Sequence, residues 1–111
     1  MLEEFLGREK VAPIYNKGWV DVIGGKALNE RLKGKRSGGL PWSVILDPNG
    51  KEIVSSNAEP KGGNIGGPVA PEECAWMLEM LKRSSGTKVS FAELKVIDEE
   101  LEIYSAPRRR R

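Results

Sequence analysis

Apolar residues fall along this chain at two alternating periods. Leu2, Phe5 and Leu6, followed by Ala12 and Tyr15, recur at roughly helical spacing. This pattern predicts a helix over residues 2–12 that stops near Pro13, because a residue preceding proline avoids the α region. The segment Gly18-Trp19-Val20-Asp21-Val22-Ile23 alternates and is rich in β-formers, so it reads as a strand, broken by Gly24-Gly25. Lys26 to Lys33 carries Leu28 and Leu32 four residues apart and reads as a short helix stopped by Gly34.

Trp42 to Leu46 is a nearly continuous apolar run, as expected of a strand buried on both faces. Asp47-Pro48-Asn49-Gly50 has proline second and glycine fourth, a strong turn signal. Glu52 to Ser56 then returns as the partner strand of a hairpin. Residues 57–70, with Gly62, Gly63, Gly66 and Gly67, read as a long loop. Pro71 suits a first helical position, and Glu72 and Glu73 complement the positive end of the helix. Cys74, Met77, Leu78 and Leu81 form its apolar stripe, and Gly86 lies where it could end. Ser90-Phe91-Ala92-Glu93 is a capping box opening a last helix, with Val89 and Leu94 in the staple positions. Leu94, Ile97, Leu101 and Tyr104 form that helix's stripe.

Composition narrows the functional classes. The length of 111 residues fits one domain, and 39% hydrophobic with 31% charged residues is ordinary for a globular chain. Apolar runs are too short to span a bilayer, so no membrane role is expected. The acidic start Met1-Leu2-Glu3-Glu4 has no apolar leader region, which points to the cytoplasm unless the chain begins after a lost leader. Net charge is +2, but without Arg108–Arg111 the balance is 14 basic against 16 acidic residues. The body therefore offers no basic footprint for nucleic acid. The four terminal arginines read as a solvated tail over 107–111, with weak, salt-sensitive phosphate contact as the alternative. With one cysteine and no histidine, an internal disulfide, a Cys/His metal centre and a histidine-based triad are all excluded, and no cofactor is expected.

Three segments together carry a resemblance: Gly39-Leu40-Pro41-Trp42, Leu46-Asp47-Pro48-Asn49-Gly50-Lys51, and Gly62-Gly63-Asn64-Ile65-Gly66 ahead of Pro71-Glu72-Glu73. In this order the chain resembles the thioredoxin-like fold family, in particular a subgroup of bacterial thioredoxin-like proteins, over about Leu2 to Leu81. The resemblance implies an α/β domain of helix, strand, helix, β-hairpin and helix across residues 1–86. The family's first core strand would be missing, and an added helix over 87–106 would pack on the domain. It also implies that Leu40-Pro41 is a cis peptide in a loop whose backbone pairs with an extended substrate, making Leu40, Pro41 and Trp42 the contact surface. A trans entry to the strand is the alternative, and the glycine pair Gly38-Gly39 fits both.

The departure from the family is as informative. Its Cys-x-x-Cys opens the first long helix, and residues 2–12 contain no cysteine. Cys74, the single thiol, lies on the apolar stripe of a later helix and reads as an inert buried side chain, with a single-thiol redox role as the alternative. Loss of a central strand would also leave rows of unpaired backbone groups. Three resolutions present themselves: residues 19–23 pair directly with 42–46, a partner chain donates the missing strand, or the chain is a piece of a longer protein; unpaired strand edges also predict self-association into a homo-oligomer. The expected function is accordingly a thioredoxin-like domain without a redox dithiol, a non-catalytic binding or structural module for a peptide or protein partner. The alternatives are a fragment of a thiol–disulfide oxidoreductase whose cysteines lie upstream, and weak nucleic-acid association through the arginine tail.

Remaining constellations add little. Gly62 to Gly67 lacks the lysine and Ser/Thr of a phosphate-binding loop. The pairs Glu3/Glu4, Glu72/Glu73 and Glu99/Glu100 are sequence neighbours and point apart on a helix. Trp19, Trp42 and Trp76 read as core anchors.

Overall fold

The computed structural model describes residues 2–20, 30–35, 42–59, 63–65 and 68–109. Two short helices open the chain, α1 (Leu2–Leu6) and α2 (Ala12–Gly18). They replace the single helix expected over 2–12. Pro13 lies in the first turn of α2, where its missing N–H removes no helical bond, so it starts a helix rather than ending one. Gly18 closes α2, and Trp19 caps it by donating its N–H to the Tyr15 carbonyl at 2.9 Å. The strand expected from Gly18 is therefore not formed over 18–20, and its remainder, 21–23, lies outside the described residues. A Cβ built on Gly18 would meet Val89 Cγ2 at 2.7 Å, so close approach of α2 to the segment before the last helix explains this glycine. Helix α3 is described over residues 30–33, the end of the helix expected over Lys26 to Lys33, and the Gly34 N–H donates to the Glu30 carbonyl.

The expected hairpin is present. β1 (Val44–Leu46) pairs antiparallel with β2 (Glu52–Ser55) in the register Val44↔Ser55, Ile45↔Val54 and Leu46↔Glu52, with an irregularity between Ile45 and Leu46. Asp47 builds the turn: its Oδ1 accepts the N–H groups of Asn49 and Lys51, each at 2.9 Å. Gly50 has φ +86°, a conformation that favours glycine. β1 is half-buried throughout, so the expectation of burial on both faces is corrected. The loop expected after the hairpin contains a second, smaller ribbon. In it β3 (Asn57–Ala58) pairs antiparallel with β4 (Gly63–Asn64).

α4 (Pro71–Ser84) begins as its sequence signals require. Its N-cap Ala70 has no side-chain acceptor, and Glu73 instead reaches back to accept the N–H groups of Val69 (3.0 Å) and Ala70 (2.9 Å). α5 (Phe91–Arg109) opens with the expected reciprocal cap, Ser90 N–H to Glu93 Oε1 at 2.9 Å and Glu93 N–H to Ser90 Oγ at 3.1 Å. It runs through Pro107 to Arg109, so the helix exceeds its expected end at 106 and takes up part of the segment read as a tail.

The core lies where α4 and α5 face each other and the N-terminal segment. Met77, Met80 and Leu81 of α4, Ile97 and Leu101 of α5, and Phe5 are each 4% exposed or less. Phe5 packs on Tyr104 with ring centroids 5.7 Å apart. Arg8 reaches the buried Glu100 carboxylate at 3.1 Å. On the other side of α4, Trp76 donates its indole N–H to the Ser55 carbonyl at 2.9 Å and fixes the helix across β2. No described helix is long and apolar enough to cross a membrane.

Candidate functional site

Of the three residues expected at the peptide-contacting loop, only Trp42 is described; Leu40 and Pro41, with Gly38 and Gly39, lie outside the described residues. Trp42 directly precedes the hairpin and is 4% exposed. Its indole N–H donates to Asn57 Oδ1 at 2.6 Å, which ties the entry of β1 to β3. Next to it, the Ser43 N–H donates to Ser56 Oγ at 2.9 Å and the Ser56 N–H returns to the Ser43 carbonyl at 2.8 Å. Ser56 Oγ in turn donates to Asn64 Oδ1 at 2.6 Å, and its carbonyl accepts the Ile65 N–H at 2.9 Å. A polar seam thus runs from the residue after Pro41 through Ser56 and Asn57 to β4. The seam is buried at Trp42, Ser56 and Asn57, and there it fixes one geometry because each group left without its partner would carry a desolvation cost. Sequence reasoning missed Ser56, Asn57 and Asn64. The run Ser55-Ser56-Asn57 at the end of an apolar strand was the available signal.

Cys74 stands in the first turn of α4 and is 8% exposed, which agrees with a buried thiol on the apolar stripe. Its Sγ lies 3.3 Å from Ser105 Oγ and 3.9 Å from the Val69 carbonyl oxygen, and Arg109 Nη2 approaches it at 3.7 Å. It is a free cysteine. The fold therefore sets Trp42 and Cys74 on different elements, the one leading into the hairpin and the other opening α4.

Two of the terminal arginines are committed within the chain. Arg109 donates to the Val69 carbonyl, to Ser105 Oγ at 2.9 Å and to Glu102 at 3.0 Å. The Glu102 carboxylate raises the guanidinium pKa above its ordinary value; burial opposes this, and Cys74 adds a smaller upward effect. Arg108 lies 3.6 Å from the centre of the Tyr104 ring and reaches Glu4 at 3.4 Å. These contacts compete with any phosphate contact by the same side chains.

Among the described residues, no group of three or more Cys, Asp or Glu side chains is placed to hold a metal ion. No family model, curated protein or solved structure matches the chain.

Proposed function

We propose that the chain is a thioredoxin-like domain without a redox-active dithiol, a non-catalytic module that contacts an extended peptide or protein segment through Leu40, Pro41 and Trp42. One observation chiefly supports this reading: Trp42 leads straight into an antiparallel hairpin, and the following helix crosses β2 through the Trp76–Ser55 bond. In the family that the sequence resembles, the loop ahead of this hairpin presents its backbone to an extended ligand. Because the Trp42 indole is buried and bonded to Asn57, its contribution to a partner is its backbone, not an exposed ring.

The chemistry of the chain agrees with a binding role. Thiol–disulfide exchange of the family type needs a second cysteine to resolve the mixed disulfide, and the single cysteine here is buried. Dithiothreitol-driven insulin reduction by the purified chain is expected at background. Turnover above background that Cys74→Ser abolishes would overturn the reading.

A further inference from the structure

We draw no further inference here: the strongest candidate, the side-chain cluster of Cys74, Ser105 and Arg109 where the first turn of α4 meets the end of α5, carries nothing because it is a lone cysteine whose polar neighbours are committed to one another and to Val69 and Glu102.

Discussion

The indole of Trp42 and the carboxamide of Asn57, fifteen residues apart, meet in a buried hydrogen bond of 2.6 Å. It joins the point where the chain enters the hairpin to the point where it leaves for the second ribbon. Removing the donor while keeping an apolar ring leaves a buried amide short of a partner. Trp42→Phe should therefore cost about 1–3 kcal/mol, and Trp42→Ala, which also opens a cavity, about 3–5 kcal/mol. Urea unfolding of the two variants checks this, and a loss below about 0.5 kcal/mol in Trp42→Ala would show that the contact does not anchor the hairpin.

The approach of α2 to Val89 gives a second test. Alanine is the better helix former by about 1 kcal/mol, so propensity alone predicts that Gly18→Ala stabilises the chain. Contact at 2.7 Å with Val89 predicts the opposite, by about 1–3 kcal/mol, because two packed elements must separate. The companion change Val89→Ala in the same background should recover part of the loss. A more stable Gly18→Ala variant would refute the close packing.

Stability should fall in acid in a way that Glu93 helps to set. The Lys17 ammonium, and after it the Ser90 backbone N–H, hold the Glu93 carboxyl below its ordinary value of 4.5, and Arg83 does the same for Glu79. A carboxyl held low in the folded state binds protons more readily when unfolded. Its contribution is thus complete above the unfolded value and is lost as pH falls below about 4.5 through the folded one. Melting temperatures between pH 7 and pH 2.5 should decline over that lower interval, and Glu93→Gln, which preserves the cap, should flatten part of the decline. An unchanged profile in the variant would remove Glu93 from the account.

Burial of Cys74 predicts slow chemistry. Its thiol should react with a disulfide reagent at least tenfold more slowly in the native chain than in denaturant, because the thiolate must be solvent-accessible to attack. Equal rates in both states would mean that the first turn of α4 opens freely.

Legibility from sequence followed the range of the signals. The turn at Asp47-Pro48-Asn49-Gly50, the start of α4 at Pro71-Glu72-Glu73 and the Ser90/Glu93 box are local devices, and each stands where its residues indicated. The same local logic misread Pro13, since a proline can either end one helix or open the next, and only packing of Val11 and Ile14 into the core decides. Gly18 to Val20 looked like the start of a strand because β-formers follow, but the Tyr15 carbonyl captures the Trp19 N–H and extends the helix to its cap. The β3–β4 ribbon, two residues a side, carries no period long enough to read, and it depends on Ser56 and Asn64 meeting. The fate of Arg108 and Arg109 was equally hidden, because Tyr104, Glu102 and Val69 become neighbours only once α5 continues through Pro107.

The proposed thioredoxin-like module without sulfur chemistry is tested most directly at the peptide bond between Leu40 and Pro41. The Nuclear Overhauser spectrum of the labelled chain should show Leu40 Hα close to Pro41 Hα, the mark of a cis bond, together with contacts from Pro41 to β1. A strong contact from Leu40 Hα to Pro41 Hδ, the mark of a trans bond, with Pro41 remote from the hairpin, would contradict it.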